Sequence, residues 1–137
     1  MRARATATAR PSKVVPRQCE AGVHTATATR VRDGHYRNRK YLDLAHRITE
    51  CQVKIPGVCQ GYVPEGCEPA HSNQQRHGKG KGLKAEDCFY AAACHACHVE
   101  LDQGKSLSRE EKAHYWQLGY EYTVRRLLVD GLLIVGK

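Results

Sequence analysis

At 137 residues, with 22 Lys/Arg against 14 Asp/Glu and a formal net charge of +8, the chain has room for one domain and a basic bias that favours anionic partners. Hydrophobic residues are 41% and aromatics 7%, enough for a small core that gains from a metal or covalent staple. No apolar run approaches the roughly 20 residues needed to span a bilayer, and the N-terminal stretch is unsuited to secretion; a membrane protein is excluded and a cytoplasmic location with no membrane partner is expected.

In chain order, the charge comes first. Residues 1–40 hold ten Lys/Arg against Glu20 and Asp33, whereas the remainder balances twelve against twelve. Rich in Ala, Thr and Arg and without a sustained apolar period, residues 1–37 read as a disordered basic arm. Such an arm is drawn to a phosphate backbone, because each neutralised phosphate releases condensed counterions, and this gives affinity without sequence choice. Cys19, His24 and His35 fall in the arm and receive no role. Residues 38–137 form the predicted domain.

That domain opens with a short amphipathic helix over 38–48, where Tyr41, Leu42, Ala45 and Ile48 recur at helical spacing. Residues 51–63 alternate apolar positions around Pro56 and Gly57 and predict a tight hairpin carrying Cys51 and Cys59 at its ends. A loop leads to Ala70 and His71, and the glycines at 78, 80 and 82 exclude a regular element over 72–84. A short buried strand is predicted over 89–93, then a helix over 94–103 with Gly104 as its C-cap. Ser108 and Glu111 form a capping-box pattern ahead of a long helix over 109–130, closed by Gly131 and bent at Gly119. Residues 132–135 are too short to classify. The expected class is α+β, a small zinc-stabilised core with a short N-terminal helix and a long C-terminal one.

Seven cysteines, at 19, 51, 59, 67, 88, 94 and 97, are an odd number in a chain with no sign of export, so metal binding outranks a disulfide framework. Zinc takes four tetrahedral ligands, and two thiol pairs, each delivered by a tight turn, supply them with little strain. Cys94 and Cys97, two residues apart, face one ion readily; Cys51 and Cys59 need the hairpin, and Cys67 competes with Cys59. A redox role for the Cys-x-x-Cys finds no thioredoxin-like βαβ pattern around it. Four protein ligands leave no open position for substrate, so this zinc is structural and catalysis needs other residues.

Those residues are His71, Asp87, His98 and Asp102. Cutting a phosphodiester requires a base to take the attacking water's proton and a cation near the leaving oxygen. His71 is the candidate base, since imidazole titrates near neutrality. His98 and Asp102, four residues apart on the helix that starts at the second thiol pair, share a face within reach of one divalent ion. Asp87 either completes the metal shell or orients the His71 ring, and the orienting role is preferred. Beside these stand the ordinary readings of a loop histidine, a solvent-facing helix aspartate and a turn aspartate. His77 reads as a substrate-contacting or solvated residue of the glycine loop. The loop, GKGKGLK, offers amides and lysines to phosphates but lacks the Walker spacing, which disfavours nucleotide hydrolysis.

The run over about residues 50–104, with ECQVKIPGVC, AHS, GKGKGLKAEDCF, CHACH and VELDQG, resembles the small phage and prophage nucleases of the HNH (ββα-metal) superfamily. It is similar in part to the phage recombination-enhancement nucleases, which also carry a basic leader. The resemblance implies His71 as general base, His98 as the final metal-binding histidine, the four cysteines as structural zinc knuckles, and Asp87 near the family's middle position. One position departs: Ala70 stands where many members have an acidic or second histidine ligand, so Asp102, Asp87 or His71 itself substitutes, or the site is degenerate. The implied activity is that of a metal-dependent endonuclease acting on DNA in recombination or processing in a bacterial host, with Mg²⁺, Mn²⁺ or a second Zn²⁺ and with a host recombination protein as candidate partner. The alternatives are a non-catalytic zinc-stabilised DNA- or RNA-binding module and a host-directed protein-interaction factor.

Overall fold

Ala91, Ala92 and Ala93 run through the middle of the molecule with no exposed surface, because side chains this short let other elements approach their backbone closely. They belong to the last strand of a fold whose elements are β1 (Arg30–Arg32), β2 (His35–Arg37), α1 (Arg39–Asp43), a 3₁₀ turn (Leu44–Arg47), β3 (Glu68–His71), a second 3₁₀ turn (Gln75–His77), β4 (Tyr90–Ala93), α2 (His95–Gln103) and α3 (Arg109–Val129). This computed structural model describes residues 30–32, 34–80 and 82–136, and residues 1–29, most of the expected arm, lie outside them. No helix among the described residues is long and apolar enough to cross a membrane.

The strands make two antiparallel pairs, β1 with β2 and β3 with β4. In the second, Glu68 lies opposite Ala93, Pro69 opposite Ala92, Ala70 opposite Ala91 and His71 opposite Tyr90. The Ser72 amide donates to the Phe89 carbonyl at 3.0 Å, and the alternation of an antiparallel ladder then turns the backbone groups of Ala70 and Glu68 toward β4 and those of Pro69 and Ala92 outward. Pro69 therefore sits where its missing N–H removes no ladder bond. The outward groups of Ala92 are both used: its N–H donates to Thr123 Oγ1 of α3 at 2.8 Å, and its carbonyl accepts from the Gln52 amide at 2.9 Å.

Helix α3 is held against this pair by polar stitches as well as by packing. The indole N–H of Trp116 donates to the Ala70 carbonyl at 2.9 Å, and Leu127 is fully buried. Its N-terminus carries the expected capping box, with Ser108 and Glu111 bonded to each other's backbone. Gly119, expected to bend the helix, is instead a point of close approach: a Cβ there would lie 2.7 Å from Val53 Cγ2, 3.1 Å from Val53 Cα and 3.3 Å from Ala91 Cβ.

Several local expectations differ from what forms. Residues 30–32 and 35–37, expected as arm, pair as antiparallel strands, and Tyr36 is fully buried. The first helix is confined to α1, capped by the Asn38 side chain, and continues as 3₁₀. Residues 51–63 build no strand; one bridge between Glu50 and Tyr62 closes them into a loop, whose Ile55 carbonyl accepts from Val58 and Cys59. Strand β3 begins in the last two residues of the expected loop and runs through Ala70 and His71, and Gln75–His77 is a 3₁₀ turn inside the glycine-rich stretch. Gly104 caps α2 with φ −66°, outside the left-handed region.

His77 is buried, not solvated. Its Nδ1 lies 2.6 Å from Ser72 Oγ, and its ring stacks on Phe89 with centroids 4.3 Å apart. Burial, helped by the charge of Arg76, lowers its pKa. The folded state thus binds the proton less readily than the unfolded chain, and stability is lost as pH falls below the ordinary histidine value of 6.5. Unfolding midpoints measured between about pH 8 and about pH 5 should fall more steeply for the wild type than for His77→Gln, acid loss of other groups being common to both. At Gly119, alanine gains about 1 kcal/mol of helix propensity but overpacks a stiff buried valine at about 1–3 kcal/mol. Gly119→Ala should lower the unfolding free energy by up to about 2 kcal/mol in urea titrations.

Candidate metal centre and active site

The loop over 51–63 exists to present two sulfurs. Lys54 adopts φ +53°, a left-handed conformation that costs a non-glycine residue roughly 1 kcal/mol, and the turn directs backbone amides toward Cys51 in the sense that lowers its pKa. The Cys51 amide donates to the Gly61 carbonyl, and the Gly61 amide returns to Cys59 Sγ at 3.2 Å. The other two sulfurs come from the junction of β4 and α2. Cys94 is the N-cap of α2 and its Sγ accepts from the Cys97 amide at 3.4 Å and from the Gln60 amide, also at 3.4 Å. Amides directed at sulfur favour thiolate over thiol.

The Sγ atoms of Cys51, Cys59, Cys94 and Cys97 all lie within 4.8 Å of one another. A tetrahedral zinc site with Zn–S of about 2.3 Å sets its sulfurs about 3.8 Å apart, so the cluster accommodates such an ion with side-chain adjustments of up to about 1 Å. The closeness of Cys51 and Cys97 couples their protons, lowering the pKa of Cys51 and raising that of Cys97. Cys67 is not in the cluster. Burial, then the negative charge of Cys51 and Cys94, pushes its thiol up to about 12, so it remains protonated beside the four.

On the other side of α2, a cleft of about 700 Å³ opens between β3, α2 and the glycine loop. His71 ends β3, and its Nε2 lies 3.1 Å from Asp87 Oδ1. Asp87 is buried, which alone would raise its pKa, but bonds from His71 and from the Asn38 amide, with the charge of Arg37 nearby, hold it below the usual carboxylate range. The Asn38 amide donates to its Oδ2 at 2.8 Å. Across the cleft, His98 Nε2 lies 3.3 Å from Asp102 Oδ2, and Asn73 Nδ2 donates to Asp102 Oδ1 at 3.2 Å. His71, His98 and Asp102 line this one cleft, with Arg39, Lys79 and Lys84 also along its walls.

Glu68 is the residue that sequence reasoning missed. Its Oε1 lies 2.7 Å from His98 Nδ1 and its Oε2 2.9 Å from His95 Nδ1. Burial opposes ionisation, yet the two imidazole bonds leave its pKa lowered. Only the packing of β3 beside α2 brings it to a helix 30 positions away; no spacing in the sequence announces it. Ala70, where an acidic ligand was expected from the resemblance, has no exposed surface.

Glu68 also determines what His98 can bind. A carboxylate on Nδ1 selects the tautomer with the proton there, so Nε2 turns a lone pair toward the Asp102 carboxylate. Two acceptors 3.3 Å apart require a proton or a cation between them. The proton is favoured by Asp102 first and Glu68 second, against burial, and the His98 pKa is raised accordingly. Adjacent ligands at about 2.1 Å from a divalent ion stand about 3 Å apart, so the spacing of this pair is one that two ligands of one ion could adopt. Among the described residues, the four cysteines alone converge as a set of three or more potential ligands, the two carboxylates here meeting opposite nitrogens of His98.

Purified protein should carry one firmly held zinc per chain by elemental analysis, and Cys59→Ser, Cys94→Ser or a strong chelator should abolish it with loss of cooperative unfolding, as expected for a structural site. Cys67→Ser should retain the metal.

Comparison with known proteins adds kinship to this geometry. The model of the family described as "Putative nuclease YbcO" matches residues 40–131. Relatives bearing that description in Escherichia coli (strain K12) and in Enterobacteria phage 82 are each 40% identical over 79 residues, 58% of this chain and 72% of theirs. A solved structure titled "Structure of a putative bacteriophage protein from Escherichia coli str. K-12 substr. MG1655" is 31% identical, with a TM-score of 0.49 over 66% of this chain and 98% of that one. The family match takes in β3, β4, all three helices but the first residue of α1, both thiol pairs and the whole cleft centre, and on that extent the chain belongs to the "Putative nuclease YbcO" family.

Proposed function

We propose that this protein is a metal-dependent endonuclease of the HNH type that hydrolyses DNA phosphodiester bonds. The observation that carries the reading is a single cleft in which two imidazoles, His71 and His98, each have a nitrogen held by a carboxylate, Asp87 or Glu68, with Arg39, Lys79 and Lys84 along the walls. The succession of an antiparallel pair and a helix, β3, β4 and α2, supports a ββα-metal reading, and membership of a family described as nuclease supports hydrolysis of nucleic acid.

Asp87, anionic through the neutral range, accepts the Nε2 proton of His71 and selects the tautomer whose Nδ1 bears the lone pair. That nitrogen takes a proton from water as the water oxygen bonds to phosphorus and the bond from phosphorus to the leaving oxygen breaks. The imidazolium formed is balanced by the carboxylate behind it. His98 and Asp102 would hold a divalent cation, Mg²⁺, Mn²⁺ or a second Zn²⁺, which when bound supplies positive charge to the phosphate oxygens. Arg39, Lys79 and Lys84 attract the flanking phosphates. Base recognition has no dedicated helix, so little sequence preference is expected. We place the activity in phage DNA recombination or processing, with a host recombination protein as proposed partner; that one relative is phage-encoded supports the phage setting alone.

The second reading, a non-catalytic nucleic-acid-binding module, draws on Ala70 and on the carboxylates meeting opposite faces of His98. A plasmid-nicking assay separates the two. With Mg²⁺ or Mn²⁺ the wild type should nick supercoiled DNA, and His71→Ala should lower the rate by about 10²–10⁴-fold, the usual worth of a positioned base. Binding without nicking in every metal establishes the module instead.

A further inference from the structure

A second cleft, of about 470 Å³, adjoins the first and shares Asn73 and Asp102 with it. Arg76, Arg109 and Lys112 line it, against Asp102 as the one acidic wall among the described residues. Asp102 already faces His98 on its other side, so the cleft carries an excess of positive charge. The shared ridge is held in place: Asn73 Nδ2 bonds both Asp102 Oδ1 and the Leu101 carbonyl. Arg76 is braced by Gln74 Oε1 at 2.7 Å and Gln117 Oε1 at 3.4 Å, and Lys112 bonds the Gly104 carbonyl. Planar guanidinium groups suit the paired oxygens of a phosphodiester.

Trp116, the aromatic ring of this cleft, is 4% exposed, and its indole N–H is given to Ala70. It thus presents no ring face on which a base could stack, and the groups offered to a ligand are cations and amides. We propose that the second cleft is a phosphodiester-binding subsite, which takes the backbone of a DNA strand just beyond the scissile phosphate, the strand crossing the ridge of Asn73 and Asp102. The position of the scissile phosphate rests on the nuclease reading; the affinity of the cleft for the backbone does not. Interactions of this kind hold the strand in register without reading sequence.

The test is binding of a short fluorescein-labelled single-stranded oligodeoxynucleotide of mixed sequence to the full-length protein across a salt series, with plasmid nicking run in parallel. Arg76→Gln and Arg109→Glu should each weaken binding, by about tenfold in combination at moderate salt, and flatten the plot of log affinity against log salt by about 0.7 for each phosphate no longer neutralised. Arg109 is the first residue of α3, where an acid is favoured by the helix dipole, so Arg109→Glu should lower affinity without lowering the melting temperature. Arg125→Gln, an exposed charge of α3 lining neither cleft, should leave the slope unchanged. An unaltered slope in the double variant, or a wild type that does not bind the oligonucleotide, overturns the subsite. If the slope is unaltered but the wild type nicks plasmid, the subsite falls and the nuclease reading stands. If the slope falls and nothing nicks, the subsite stands as a binding site and the nuclease reading falls.

Discussion

The convergence of four cysteine sulfurs is the constraint from which the geometry of the cleft descends. Cys51 and Cys59 lie on a loop with no strand or helix of its own, whereas Cys94 and Cys97 lie where β4 ends and α2 begins. Cys94 is both a cluster member and the N-cap of α2, so the position of the helix start is tied to the sulfurs. Helical periodicity does the rest. Cys97 and Leu101 turn into the core, and the next pair, His98 and Asp102, turns to the cleft. A cysteine cluster that could hold a metal ion and the proposed chemical site are therefore related by one residue of register on a single helix.

A second knot is Asp87. It takes the Asn38 amide at the start of α1, faces Arg37 at the end of β2, and stands behind His71. The neighbouring residue joins in, since Glu86 Oε1 accepts from the Tyr36 amide at 2.8 Å. Arg37 also donates to the carbonyls of Ala85 and Lys84. The N-terminal strand pair is thereby fastened to the stretch that supports the proposed base. A buried carboxylate with three partners is well satisfied, which a buried charge requires.

How far the sequence discloses this arrangement depends on the range of the interaction that decides each element. The capping box at Ser108, the helix behind it, the Cys-x-x-Cys at a helix start and the buried strand over residues 90–93 are governed by near neighbours and are legible. The loop over 51–63 has the alternation of a hairpin, but its amides are spent on sulfur and on Ala92, so apolar alternation misleads. Strand β3 is hidden by Pro69, whose cost vanishes only because the register turns its nitrogen away from β4. Gly119 looks like a helix breaker until Val53 is placed against it. The histidines and aspartates of the cleft stand out by chemistry, and His98 with Asp102 by helical spacing; Glu68 does not, because its partners are reached only through the packing of β3 on α2. The pairing of residues 30–32 with 35–37 is masked by a composition shared with the preceding arm.

Both edges of the small sheet of β3 and β4 are blunted at their middle. On one side, Ala92 gives its backbone groups to Thr123 and Gln52; on the other, Pro69 interrupts the row of donors. Open strand edges are templates on which further strands assemble, in aggregation as in peptide capture. A helix and a loop at Ala92 and a proline opposite it disfavour the addition of a further strand, so a macromolecule that approaches this pair is met chiefly by side chains.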